Sequence, residues 1–274
     1  VWANPGKVSS LSSSMVNIYK QFKSTFSVDD NNHYLFTPRD LTRWCLGVLR
    51  YKLEGNDKSH NSILQIWAYE CSRLFRDKLV NDRDRGKFDS TLSAILQSDW
   101  NSNAASSLQN TFFVTPAASE STGGKMPPHG RRLGQMSSKD WESYVDKGKT
   151  VFARENWTLK PYTTEETLDL SSRIDRVLSA PRGSLLLAGR AGVGRREAVC
   201  AVSAIHSAKL VTLKMGKNFG IKQFKAELKN VMQLAGVEEE QIFFILEDNN
   251  FADSQFLDLI NSLLSSGEIP GLYS

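Results

Sequence analysis

Residues 183–196 read Gly-Ser-Leu-Leu-Leu-Ala-Gly-Arg-Ala-Gly-Val-Gly-Arg-Arg, an apolar run, then closely spaced glycines, then the start of a helical pattern. An apolar strand that passes through a glycine turn into a helix belongs in few folds, chiefly those with a buried parallel sheet. Glycines at 189, 192 and 194 let the backbone wrap tightly and aim its N–H groups inward, and a helix starting near Arg195 adds its positive end. That is the construction of a phosphate cradle, and it is altered in a specific way. The pattern G-x-x-x-x-G-K-[ST] is met at Gly189 and Gly194, but Arg195 stands where the lysine belongs and Arg196 where a metal-binding hydroxyl belongs. The candidate nucleotide-binding residues are Gly189, Arg190, Ala191, Gly192, Val193, Gly194, Arg195 and Arg196. Arg195 can still neutralise phosphate, with a bulkier and bidentate group. Arg196 cannot ligate magnesium, because a guanidinium offers no lone pair and repels the ion. The plainer alternative is a glycine-rich strand-to-helix turn that binds nothing.

A second stretch bears on the same chemistry. Gln241-Ile-Phe-Phe-Ile-Leu-Glu-Asp-Asn-Asn250 is an apolar run that ends in two carboxylates. In P-loop ATPases a buried strand delivers an Asp for magnesium, followed by a Glu that polarises the attacking water. Here the order is inverted, with Glu247 first and Asp248 second. Asp248 is one methylene shorter than the usual base and falls short of the water, so hydrolysis is expected to suffer more than binding. Both are doubtful catalytic candidates, and a merely solvated acidic strand end is the alternative.

Composition narrows the classes. The net charge of +4 is mild and spread along 274 residues, which excludes nucleic acid as the default partner. Three cysteines, at 45, 71 and 200, are far apart and odd in number, which fits structural thiols in a reducing compartment and shows no zinc spacing. No apolar run approaches membrane-spanning length and no signal peptide is present, so membrane insertion is not expected. The chain opens Val-Trp-Ala-Asn and closes Pro-Gly-Leu-Tyr-Ser, and both ends read as cut from something longer.

The periodicities divide the chain. Residues 1–100 read as all-α: Thr37 caps a helix with Pro38 at its first position, and a longer helix over about 62–80 carries the apolar stripe Ile63, Ile66, Trp67, Cys71, Leu74, Phe75 and Leu79. The segment 81–87 is charged and expected to be exposed. Residues 101–137 shift to Ser, Asn, Gly and Pro and read as a linker with a flexible loop at 117–132, in which 111–115 suits a short strand. From 138 to 274, helices alternate with strands expected at 184–188, 209–214 and 241–247, the pattern of an α/β parallel sheet flanked by helices. A last helix is expected to turn Phe256, Leu257, Ile260, Leu263 and Leu264 inward.

Two strings in the helical part, His33-Tyr-Leu-Phe-Thr-Pro-Arg-Asp-Leu-Thr-Arg-Trp44 and Ile66-Trp-Ala-Tyr-Glu-Cys-Ser-Arg-Leu-Phe-Arg-Asp-Lys-Leu79, strongly resemble dynein heavy chains. The match is to the helical lid of the third AAA+ module of the motor ring. The stretch 144–274 resembles the large α/β subdomain of the fourth module, and Ile260-Asn-Ser-Leu-Leu-Ser-Ser-Gly-Glu-Ile-Pro-Gly-Leu272 is a specific dynein string. The paired arginines at 195–196 and the Glu-Asp order at 247–248 look most like the cytoplasmic dynein of intraflagellar transport.

The resemblance implies a minus-end-directed microtubule motor ATPase working in cytoplasm, cytoskeleton and ciliary axoneme. Its partners would be the remaining AAA+ modules of the same heavy chain, microtubules through a stalk absent here, and intermediate, light intermediate and light chains through an absent tail. The cofactor would be ATP or ADP, with magnesium uncertain at the fourth-module site. By the same resemblance Arg39 matches the sensor arginine of the third module, and the segment from Leu159 to Tyr162 lies near the adenine. Without it, Arg39 is an ordinary surface arginine at a helix start, and 159–162 is equally well a connecting loop. The departures at Arg195, Arg196, Glu247 and Asp248 imply a regulatory site that binds nucleotide and hydrolyses it slowly or not at all. A structural wedge with an empty pocket, or a separate P-loop NTPase, remain the alternatives. Each piece is also expected to expose apolar surface that the ring covers, such as the Phe256–Leu264 stripe.

Overall fold

The computed structural model describes residues 5–51, 60–108, 111–118, 126–155, 163–216, 219–251 and 253–273. The chain separates into two compact units, the first reaching Ser138 and the second running from Lys139 to Ser274.

Among its described residues the first unit holds the helices α1 (Pro5–Thr25), α2 (Pro38–Val48), α3 (His60–Leu74) and α4 (Asp82–Trp100). Pro38 opens α2 because its fixed φ suits the first helical position and its missing N–H is not needed there. The Asp40 carboxylate accepts from the Thr37 backbone N–H at 2.9 Å, reinforcing the same terminus. The helix expected to reach residue 80 stops at Leu74, and a 3₁₀ turn follows at Arg76–Lys78. The charged segment 81–87 is exposed at 81, 82, 83, 86 and 87, as expected, and it forms the start of a helix. Asn81 caps α4 by accepting from the Asp84 N–H at 2.8 Å, and Asp84 is buried with its carboxylate taking the Tyr34 hydroxyl at 3.0 Å. A charge run thus hid a helix start, since acidic residues favour a first turn. α4 ends at Asn101 in the left-handed conformation, a favoured stop.

The core of this unit is aromatic. Phe22, Trp44, Trp67, Phe75 and Phe88 are essentially inaccessible. Trp44 lies 4.7 Å from Trp67 ring to ring, and its indole N–H donates to the Trp67 carbonyl at 2.9 Å, so the polar edge of the ring is satisfied inside the core. Within the stretch expected as a linker, β1 (Thr111–Val114) pairs antiparallel with β2 (Gly134–Ser137), with Thr111 opposite Ser137 and Val114 opposite Gly134. Phe113 of β1 packs on Tyr51 and Tyr69, so described parts of 101–137 belong to the packed body of this unit.

The second unit is α/β. It contains α5 (Ser138–Glu155), α6 (Glu165–Leu178), α7 (Arg195–Ile205), β3 (Lys209–Thr212), α8 (Ile221–Gly236), β4 (Ile242–Ile245) and α9 (Ser254–Ser266). β3 and β4 are parallel, with Lys209 opposite Ile242 and Thr212 opposite Ile245, and α8 supplies the crossover that parallel strands require. Trp141 of α5 donates to the Leu168 carbonyl of α6 at 3.0 Å. α6 and α7 are joined at their far ends by a fully buried pair, His206 Nε2 to Asp175 Oδ1 at 2.7 Å.

Two expectations need correction. Residues 184–188 form no strand. A strand exists only as a partner in a ladder, and among the described residues none pairs with this segment. Leu186 is accordingly 91% exposed. The α9 stripe is split: Phe256 and Ile260 are buried, Phe256 stacking on Phe224 of α8 at 4.3 Å, while Leu257 and Leu264 face outward. Helical spacing placed five residues on one side, but the residues packed against α9 cover only part of that arc.

Candidate nucleotide cleft

Gly192 and Gly194 both have left-handed φ, +83° and +80°. Any side chain with a Cβ would be strained there, so the loop can turn into α7 only because these positions are glycine. Gly194 is the N-cap of α7, and the first N–H groups of that helix have no intrahelical partner. They form a positively polarised end at the head of eleven residues of aligned peptide dipoles.

The opposite wall comes from the end of β4. Its last residues run into Glu247 and a 3₁₀ turn at Asp248–Asn250. Asn250 is buried and its side-chain oxygen accepts from the Glu247 N–H at 2.7 Å, while its own N–H donates to the Glu247 carbonyl at 2.8 Å. This clasp fixes the backbone that carries both carboxylates.

Between the two walls lies an open cleft of about 530 Å³. Its lining includes Ala191, Gly192, Gly194, Arg195 and Arg196 from the loop and Glu247 and Asp248 from the strand end. The two motifs lie more than fifty residues apart in sequence and converge on one space. Gly189, Arg190 and Val193 belong to the same loop but do not line the cleft, and all three are exposed. Leu159 and Tyr162 lie outside the described residues. Arg39 sits in the first turn of α2 in the first unit, exposed.

The charged groups differ in what they meet. Arg195 turns back and donates from Nη1 to the Leu187 carbonyl at 2.7 Å, bracing the chain before the loop against the helix after it. Arg196 Nη1 lies 3.4 Å from Glu247 Oε1, with both side chains about two-fifths exposed. Asp248 is exposed. One turn along α7, Cys200 is buried, and that burial pushes its thiol up to about 11, against a smaller lowering by Arg196. It is packing, not a nucleophile.

The donor set fits a nucleotide and does not fit magnesium. Backbone N–H groups and two guanidiniums suit phosphate oxygens. At the metal side, the hydroxyl position is a guanidinium, and the carboxylate meant for the ion is engaged by that guanidinium. Sequence reasoning missed this pairing and missed Asn250. The signal for Asn250 was an Asx residue three positions after Glu247. The signal for the pair was that both metal-side positions changed together, to opposite charges.

Comparison with known proteins places both units. Residues 1–85 match the model of the dynein heavy chain ATPase lid domain, and residues 163–274 match that of the P-loop containing dynein motor region D4. Over its whole length the chain is 51% identical to cytoplasmic dynein 2 heavy chain 1 of Tripneustes gratilla and 45% identical to the Homo sapiens protein of that name. It is 35% identical over 96% of its length to the Chlamydomonas reinhardtii counterpart. The chain spans about 6% of the length of these relatives. With a lid match, a D4 match and full-length similarity to these heavy chains, the chain belongs to the dynein heavy chain family.

Proposed function

We propose that this chain is a segment of the AAA+ ring of a microtubule motor, comprising a third-module lid (1–100), a connection (101–137) and part of the fourth-module large subdomain (138–274). Its cleft is a regulatory nucleotide site that hydrolyses slowly or not at all. The observation that carries this reading is the convergence of the 189–196 loop and the 247–248 carboxylates on one cleft, with the metal-side positions occupied by an ion pair. The backbone amides of the loop and α7 would hold the phosphates of ATP or ADP, and Arg195 would add charge. Asp248 is too short, and too open to solvent, to orient a water as a longer carboxylate does. Losing one such group typically costs about a hundredfold in rate or more.

Similarity to proteins named cytoplasmic dynein 2 supports a minus-end-directed motor of ciliary retrograde transport, acting in cytoplasm and axoneme with the other modules, accessory chains and microtubules as partners. Arg39 as a third-module sensor and Leu159–Tyr162 as an adenine segment are part of the same proposal. No helix among the described residues is long and apolar enough to cross a membrane.

The test is nucleotide analysis of the denatured intact heavy chain. One nucleotide equivalent is expected to disappear on Gly194→Val, because a β-branched residue cannot hold φ near +80° without strain. Unchanged occupancy would favour the structural wedge. For hydrolysis, the combined substitutions R195K, R196T, E247D and D248E in a ring with its other sites silenced are expected to raise turnover by about a hundredfold. Robust hydrolysis by the natural sequence in that ring would reject the slow-site reading.

A further inference from the structure

We propose that the Arg196 guanidinium, paired with Glu247, stands in for the magnesium ion of a P-loop site, so that this cleft takes a nucleoside diphosphate without metal. The inference rests on the nucleotide-site reading above and goes beyond it. In an ordinary P-loop site the metal is held between the hydroxyl at the loop end and the carboxylate at the end of the neighbouring strand. Those two positions are Arg196 and Glu247 here. Taken singly each is a defect. Taken together they are complementary, because the cation is built into one side chain and the second holds it, at 3.4 Å.

The pair is not there to stabilise the fold. Both side chains are about 40% exposed, and ion pairs so hydrated contribute little to folding. Its position in the cleft gives it a different use. A guanidinium has five N–H donors in a rigid fork, so it can engage Glu247 and a phosphate oxygen together. The backbone that carries Glu247 is held by the Asn250 clasp, so the carboxylate springs from a fixed point opposite the loop. A magnesium ion brought in by nucleotide would meet a like charge where it needs an oxygen ligand.

Charge also selects the ligand. A hydroxyl, a carboxylate and a divalent ion leave one net positive charge facing the phosphates, whereas a guanidinium and a carboxylate leave none. The cleft therefore offers less attraction to the extra negative charge of a triphosphate, and the diphosphate is favoured.

The experiment uses the intact heavy chain with its other nucleotide sites silenced, titrated with fluorescent mant-ADP and mant-ATP in excess magnesium and again in EDTA. The expected result is a mant-ADP Kd equal in both buffers to within about threefold, and mant-ATP binding about tenfold weaker. The paired change R196T plus E247D restores metal ligands, and should raise the ratio of the Kd in EDTA to that in magnesium to about tenfold or more. A natural protein that binds mant-ADP in magnesium and loses it in EDTA overturns this inference while leaving the nucleotide site standing. Binding in neither buffer overturns both. Should the paired variant fail to fold, the natural protein's EDTA comparison decides alone.

Discussion

The two units use their sequence in opposite ways. The first sinks its largest side chains into one continuous aromatic core, in which ring contacts run from Phe88 to Phe22, Phe75, Trp44 and Trp67 in turn. The second divides its apolar residues among smaller clusters. One joins α8 and α9 through the Phe224–Phe256 stack, and another underlies α7 around Ala198, Val202 and Phe243. Between them it keeps an open, charged cleft and leaves Leu186 exposed. Packing sets the first unit, whereas backbone geometry and charge placement set the site of the second. The difference teaches that a substitution's cost here should follow the unit it falls in, large at buried rings and small along the exposed approach to the loop.

The largest expected effect breaks the aromatic core. Trp44→Ala removes a fully buried ring, its contact with Trp67 and its hydrogen bond, at a cost of about 4 kcal/mol. Urea unfolding of the first unit is the measurement, and a loss under about 1 kcal/mol would mean the core repacks freely.

An intermediate effect tests whether α7 is sealed from water beneath the cleft. The Cys200 thiol is raised above its ordinary value of 9.0 by burial, to about 11. A raised folded-state value means the folded protein holds the proton more tightly than the unfolded chain. The stability tied to this protonated thiol is therefore complete below pH 9 and lost as pH rises toward about 11. The stability difference between the natural protein and Cys200→Ala should shrink over that interval. A constant difference, or Cys200 modified by thiol reagents as fast as the exposed Cys45, would show that the helix is not sealed.

The smallest effect is expected at Leu186. At 91% exposure, Leu186→Ser should change thermal stability by less than about 0.5 kcal/mol. A larger loss would show that the segment 184–188 is covered in solution and that the contrast with the first unit is overdrawn.

Local signals explain which features were legible. Pro38 marks a helix start through a constraint that acts within a residue or two, and α2 begins there. The glycine spacing at 189–194 was legible for the same reason, since positive φ is a local demand. The charged stretch 81–87 is exposed at 81, 82, 83, 86 and 87 as expected, and the exception is not local: Asp84 is inside because Tyr34, fifty residues earlier, comes to meet it. Likewise, which of the α9 leucines face out depends on how much of that helix α8 can cover.

What the sequence by itself determined is therefore the set of locally dictated parts: the start of α2 at Pro38, the glycine turn at 189–194, the order of the two carboxylates and the family resemblance. Tertiary structure alone decided the relations between distant residues. It brought the loop and the strand end to one cleft, gave 184–188 no ladder among the described residues, turned Arg195 back onto Leu187, and set Arg196 beside Glu247. Dihedral preferences and capping act over a few bonds and are written in the local sequence. Whether two charges fifty residues apart neutralise each other depends on a chain path that only the packing of the whole unit specifies.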